Sequence, residues 1–219
     1  MEVTLVRYTV DPVNAIESAA SNCYNSSPSK QGVLMKDCYN NGHHSVLEFA
    51  QFHFHITGIS RACLAQLTRH RTSSFAVRSQ RYVNEDGCKF VTPKSIQHSK
   101  EAMCVYTNAL TSIANAYSAL CALEIPNEDA RFILPNACET VVDVSSDFRN
   151  LIHFMNERLC TRAQWEIREL AQKMKSCVVE VCPITESMLV PKCESYKRAF
   201  CQEAKSCGKH KRLEELIHE

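Results

Sequence analysis

The feature that most constrains this chain is a stripe of apolar side chains, Met103, Tyr106, Leu110, Ile113, Tyr117 and Leu120, spaced by alternating threes and fours. An α-helix returns to one face at that spacing, so the stripe demands a long helix, read here from about Ser95 to Leu123. A stripe of this kind is a packing seam against other helices or another subunit, and it needs no chemistry to explain it.

The opposite period appears at Ala50 to Thr57. Ala50, Phe52, Phe54 and Ile56 fall on one face; Gln51, His53, His55 and Thr57 fall on the other. That alternation predicts a strand with one buried face. His53 and His55 point the same way, but no third ligand is near them in sequence, and partly exposed strand histidines explain them better than a metal. Residues 2 to 8 read as an opening strand with Val3 and Leu5 on one face. Tyr82 to Val91 reads as a hairpin turning at Asp86-Gly87. The predicted fold class is α+β: a small, mostly antiparallel sheet from regions 2–8, 50–57 and 81–91, packed by long helices, in an oligomer.

Capping residues punctuate the rest. Asp11 and Pro12 open a helix carrying Ile16, Ala19, Ala20 and Cys23, and Asn25 to Ser29 breaks it. A second helix spans Lys30 to Tyr39, with Gly42 suited to a left-handed cap. Ser60 caps a helix to about Arg69 with Cys63, Leu64 and Leu67 as core face; Gln66 and Arg69, three apart, share a side. Asn127 or Pro126 opens a short helix that Pro135 ends. Asp147 to Ile167 reads as one long helix. Ser45 and Glu48 have the spacing of a capping box.

At 219 residues, with 45% apolar and 22% charged residues, the chain reads as one globular catalytic domain over 1–190, followed by a polar, Cys- and Lys-rich tail over 191–219. No apolar run approaches a membrane span, and MEVTLVRYTV lacks the layout of a signal peptide, so a cytoplasmic location is expected. The thirteen cysteines are scattered without a CxxC pair and read as reduced thiols, mostly small hydrophobes. Cys193, Cys201, Cys207 and His210 group in the tail, but their spacings fit no common zinc pattern, and no metal is expected.

The stretch RHRTSSFAVRSQRY, 69–82, puts Arg69, His70, Arg71, Arg78 and Arg81 into thirteen residues with no acid, and sets Thr72, Ser73, Ser74 and Ser79 among them. The formal net charge is only +1, so this positive density is local. Guanidinium groups bind phosphate through paired hydrogen bonds, and hydroxyls fill the remaining acceptor positions. The stretch suits a small multi-anionic ligand; a solvated basic loop is the bland alternative, and the residues alone leave both open.

Arg69-His70-Arg71, seven residues, Ser79 and Gln80-Arg81-Tyr82 resemble the signature of the flavin-dependent thymidylate synthases. Further matches follow in order: Gly42-His43…Glu48, Pro126…Ala130-Arg131…Leu134-Pro135, and the segment ending Ala163-Gln164-Trp165-Glu166. Together they cover roughly residues 20 to 170. The resemblance implies methylation of dUMP to dTMP, with FAD as cofactor and NADPH and methylenetetrahydrofolate as co-substrates, in a homotetramer with shared active sites. It implies dUMP binding by Gln66, Arg69, Ser79, Gln80, Arg81, Arg131 and Arg158, with Arg131 and Arg158 reaching in from another subunit and Arg158 catalytic. It implies FAD binding by His43, Ser45, Glu48, Arg69, His70, Arg71, Arg149, His153 and Arg162. His43 and Tyr82 would line the folate pocket, although Tyr82 also reads as a plain core tyrosine. His44 does not inherit a role. Val77 stands where family members often carry a carboxylate or amide, and Ala76 and His153 replace small polar residues. The family does not rely on a cysteine nucleophile; Cys160, close to Arg158, is the thiol to test and otherwise a packing residue.

On an unbroken helix Arg149 and His153 share one face and Arg158 and Arg162 another, nearly opposite at about 100° per residue. Either the helix is interrupted or it serves two sites, between active sites of an oligomer. Two rival classes remain. A nucleic-acid-binding module using 69–81 would want a broad basic face interleaved with aromatics, and the stretch holds Phe75 alone before Tyr82. A purely structural helical oligomer would carry no flavin. The expected partners are small molecules, with no nucleic acid and no membrane.

Overall fold

The computed structural model describes residues 1–24 and 30–217; the helix break read at Asn25 to Ser29 lies outside them. The chain is α+β, with a four-stranded antiparallel sheet in the order β1-β2-β4-β3. The strands are β1 (Glu2–Tyr8), β2 (Gln51–Ser60), β3 (Ser74–Val77) and β4 (Glu139–Asp147). The helices are α1 (Pro12–Tyr24), α2 (Val33–Asn40), α3 (Arg61–Leu67), α4 (Lys94–Gln97), α5 (Lys100–Ala122), α6 (Asn127–Ala130), α7 (Phe148–Arg158), α8 (Trp165–Val181) and α9 (Leu213–Ile217). No helix among the described residues is long and apolar enough to cross a membrane. Two compact units emerge, one of residues 1–2, 56–69 and 76–143, the other of residues 3–55, 70–75 and 144–219.

In the first unit the Ser60 hydroxyl accepts the Cys63 N–H at 3.0 Å and starts α3, whose buried face is Cys63, Leu64 and Leu67. The predicted long helix is present but in two pieces. The Ser99 hydroxyl accepts the Ala102 N–H at 3.1 Å and makes a fresh start, separating α4 from α5. Along α5 the stripe faces inward: Tyr117 is buried, and Met103, Tyr106, Leu110, Ile113 and Leu120 are half-buried.

The hairpin expected at 82–91 does not form. Phe90 makes an isolated antiparallel bridge with Cys138. Buried Glu85 is anchored instead: its N–H donates to the Tyr117 hydroxyl at 3.1 Å, and its carboxylate accepts from Arg78 Nε at 3.3 Å. A buried carboxylate must find such partners; the turn at Asp86-Gly87 itself does form, with the Cys88 N–H donating to the Glu85 carbonyl at 2.9 Å, but no paired strands flank it. The strand that takes the place of the hairpin is β4. Its inward positions are Thr140, Val142, Val144 and Ser146.

In the second unit Glu17 of α1 is buried, and its carboxylate accepts the N–H groups of Leu34 at 3.0 Å and Met35 at 3.3 Å. These are orphan donors in the first turn of α2, where a negative group is favoured. Gly32 precedes that turn at φ +86°, and a Cβ there would lie 2.0 Å from Ile184 Cδ1.

Asp147 ends β4 and caps α7, its Oδ1 accepting the Asn150 N–H at 2.8 Å. Phe148, Leu151, Ile152 and Met155 then recur at threes and fours and bury that helix. The single helix expected through Ile167 is interrupted: α7 stops at Arg158 and α8 starts at Trp165. Gln164 causes the restart, its Oε1 accepting from the N–H groups of Glu166 at 3.0 Å and Ile167 at 3.2 Å. Arg158 and Arg162 therefore do not share a helix face.

Candidate active site

Glu48 lies near the end of the short 3-10 helix His44–Phe49, and α7 brings Arg149 against it; Arg149 Nη1 lies 2.5 Å from Glu48 Oε1. Both side chains are about half exposed, so the pair contributes about 0–1 kcal/mol and its meaning is positional. The capping box expected at Ser45 and Glu48 is absent. His43, not Ser45, occupies the N-cap position and makes no side-chain cap bond. Glu48 and Arg149 flank a cavity of about 570 Å³, also lined by His44, Thr72, Asp147, Asn150 and His153. That volume lies in the range of sites for organic ligands.

The motif histidine packs beside this cavity. Arg158, the last residue of α7, donates through Nε to His70 Nε2 at 3.0 Å. The Phe154 ring meets His70 edge-on at 4.9 Å between centroids, and the His153 ring, which lines the cavity, does so at 5.9 Å. Burial pushes the His70 pKa down to about 4, helped by the positive charge of Arg158 and then by His153. His70 is therefore neutral at pH 7. Nε2 accepts from a guanidinium, which places the ring proton on Nδ1. A neutral imidazole, a second histidine and an arginine converge in one spot, a combination that favours an anion.

In the first unit Arg81 pairs with Glu128, and Arg131 Nε donates to the Glu128 carbonyl at 3.0 Å. Arg81 and Arg131 thus flank one α6 residue. Ser79 Oγ accepts the Arg81 N–H at 3.2 Å. The Arg81 guanidinium lies over the Tyr82 ring, 5.2 Å from its centroid. Tyr82 is 76% exposed, which removes the reading of a core tyrosine within this chain. Gln80 contacts Cys138 Sγ at 3.7 Å. Gln66 lies half-buried in the last turn of α3, and Arg69 is exposed two residues past the helix end.

A second cavity in this unit, about 460 Å³, is lined by Arg78, Glu85, Cys88, Lys89, Glu139 and Thr140, with others. The buried Thr140 hydroxyl makes no hydrogen bond there. The Cys138 and Cys88 sulfurs are 3.2 Å apart. Burial, then the contact with Cys88, pushes the Cys138 thiol up to about 12, so it is no nucleophile at neutral pH.

The fold thus gathers Glu48, Arg149 and His153 around one cavity, and His70 with Arg158 beside it; in the first unit it gathers Ser79, Arg81 and Arg131. His43, Ser45 and Arg71 are exposed. Arg162 lines a small cavity of the tail. Sequence reasoning passed over His44, Asp147 and Asn150 as cavity residues. Asp147 and Asn150 fell inside a segment read only as a long helix, which gives no signal of a cavity. Thr72 was legible as one of the hydroxyls interleaved with the cations.

The family model described as thymidylate synthase complementing protein matches residues 4–184. The flavin-dependent thymidylate synthase of Geobacter sulfurreducens is 40% identical, over 100% of this chain and 99% of that protein. The flavin-dependent thymidylate synthase of Pyrococcus abyssi is 38% identical over 93% of this chain and 90% of its own. In fold, the chain resembles the crystal structure of thymidylate synthase X from Helicobacter pylori with FAD and dUMP. The TM-score is 0.70 at 22% identity, covering 86% of this chain and 97% of that one.

Proposed function

The chain belongs to the flavin-dependent thymidylate synthase family, and from that premise we propose that it converts dUMP to dTMP with FAD, methylenetetrahydrofolate and NADPH. FAD, when bound, supplies the redox chemistry, relaying hydride that originates in NADPH. The protein's own task is to bind, orient and polarise.

The observation that carries the reading is the Arg158 to His70 hydrogen bond. It ties the basic motif to the end of α7 and fixes a permanently charged guanidinium next to a neutral imidazole. Arg158 is the catalytic residue: set at a pyrimidine carbonyl, its charge stabilises negative charge as it develops. The donor set fits an FAD-sized anion. Arg69, His70, Arg71, Arg149, His153 and Arg162, with His43, Ser45 and Glu48, supply cations and polar groups for a pyrophosphate and a flat ring. Charge-assisted hydrogen bonds contribute about 1.5–3 kcal/mol each, so three or four give useful affinity.

Gln66, Arg69, Ser79, Gln80 and Arg81 hold the nucleotide, joined by Arg131 and Arg158 from neighbouring copies in a homotetramer. His43 and the exposed ring of Tyr82 face the folate. All partners in this reading are small molecules and the location is cytoplasmic.

The purified protein is expected to be yellow. Arg158→Ala should abolish dTMP formation while flavin stays bound; loss of flavin with full turnover by the remaining holoenzyme would contradict the role. Ser79→Ala should weaken dUMP binding more than FAD binding.

A further inference from the structure

Between Ser195 and Lys211 the tail has neither helix nor strand, apart from one bridge between Cys201 and Arg212. Loops of this length inside an ordered domain usually serve a function or need a staple. Backbone bonds draw the segment into a knot: the Phe200 N–H donates to the Cys193 carbonyl at 3.1 Å, and the Cys201 N–H to the Lys211 carbonyl at 2.8 Å. The Ser206 hydroxyl donates to the His210 carbonyl at 2.7 Å.

The knot concentrates metal-binding side chains. Ligand atoms of Cys193, Glu194 and His210 all lie within 4.8 Å of one another. Cys160, Cys193, Cys201, Cys207 and His210 line one cavity of about 60 Å³. That space is far below the roughly 300 Å³ at which organic-ligand sites begin, and it accommodates an ion. Spacing along the sequence misses the grouping because Cys160 comes from the loop just after α7 and Glu194 belongs to no common pattern.

We propose that this tail binds one divalent cation of the zinc class through the Cys193 thiolate and the His210 imidazole. Glu194 and one of the thiols Cys160, Cys201 or Cys207 complete four-coordination. The geometry is close to what such an ion needs. His210 Nε2 and Glu194 Oε1 are 3.1 Å apart. Two ligands at about 2.0–2.2 Å from a tetrahedral zinc sit about 3.3–3.6 Å apart, so a shift of a few tenths of an ångström admits the ion. A sulfur and nitrogen donor set selects zinc-class ions over magnesium or calcium. Lys192 is matched by Glu203 at 2.7 Å, whereas Lys209 lies 2.5 Å from the same Glu194 oxygen that faces His210, so an ion taking that carboxylate displaces the Lys209 ammonium. Binding releases one proton from each thiol that becomes a ligand.

The test uses the full chain loaded with Zn²⁺, passed over a chelating resin and assayed by elemental mass spectrometry, and then the Co²⁺-substituted protein. The expected result is about one zinc retained per chain and strong visible cobalt bands, on the red side of the flavin absorbance, of four-coordinate thiolate ligation. Cys193→Ser and His210→Ala should each lower retention roughly tenfold or more, and Cys104→Ala on α5 should not. A wild-type chain that retains no zinc, or whose cobalt bands are weak as in octahedral oxygen sites, overturns the proposal. So does full retention by both ligand variants. The wild-type cobalt spectrum decides the matter even if the variants fail to fold.

Discussion

His70 and Arg158 stand 88 residues apart in sequence and meet at 3.0 Å, the guanidinium donating to the imidazole. The folded pKa of His70, about 4, lies below its ordinary 6.5. The unfolded chain therefore binds more protons between those values. The stability contributed by neutral His70 is fully present above pH 6.5 and is lost as pH falls toward 4. The expected loss is roughly 2–3 kcal/mol across that window, from about 1.4 kcal/mol per pKa unit with a discount for partial exposure. Urea unfolding from pH 7 to 4, compared with His70→Asn, measures it; equal slopes for the two proteins would refute it. Arg158→Ala should raise the imidazole pKa by NMR, but not to 6.5, because burial is the larger cause.

Glu17 ties α1 to α2 by accepting two N–H groups while buried. Glu17→Ala should cost about 1–3 kcal/mol, since those donors lose a partner away from water. At roughly 2–4 °C per kcal/mol for a chain of this size, the midpoint of a thermal melt should fall by several degrees. Glu17→Gln, which keeps an oxygen acceptor, should lose less. A melt of Glu17→Ala indistinguishable from wild type would contradict the capping role.

How much of this was legible in the sequence depended on how local the cause was. The seam of α5, the alternation of β2 and the Ser60 cap each arise from residues within a turn or two, and each is legible in the sequence; the Asp147 cap is just as local but was not singled out. Strand β4 was not read, because its buried face mixes Thr140 and Ser146 with two valines and gives no clean hydrophobic alternation. The break after Arg158 was legible only as one of two alternatives, because Gln164 is an uncommon cap. The hairpin failed through Glu85, whose partners Arg78 and Tyr117 are set by tertiary packing. The signature named His70 and Arg158, but only the fold brings them into contact and makes the histidine neutral.

Cys138 offers a test of burial by reactivity. Its thiol is pushed up to about 12, so at pH 8 only about one part in 10⁴ is thiolate. Iodoacetamide at pH 8 should label the exposed Cys23 and Cys104 and leave Cys138 untouched, as read by peptide mass spectrometry. Because the pKa is raised, the thiolate fraction climbs about tenfold per pH unit and stays small up to pH 10. Labelling of Cys138 as fast as Cys104 in the folded protein would show that the thiol is not protected in this way.

In the proposed reading the Arg81–Glu128 pair bears on the nucleotide site. Both side chains are about half exposed, at 55% and 45%, so the pair itself contributes about 0–1 kcal/mol. In the proposed reading a phosphate must take Arg81 away from Glu128. Glu128→Gln should then leave stability within about 1 kcal/mol of wild type and lower the KM for dUMP, by at most about fivefold, because that is the whole worth of the displaced pair. Arg81→Ala should raise the same KM. The opposite result for Glu128→Gln, a raised KM, would mean that the carboxylate positions Arg81 for the phosphate instead of competing with it. Steady-state kinetics on the two variants distinguishes competition from positioning, since the two roles of Glu128 predict KM shifts of opposite sign.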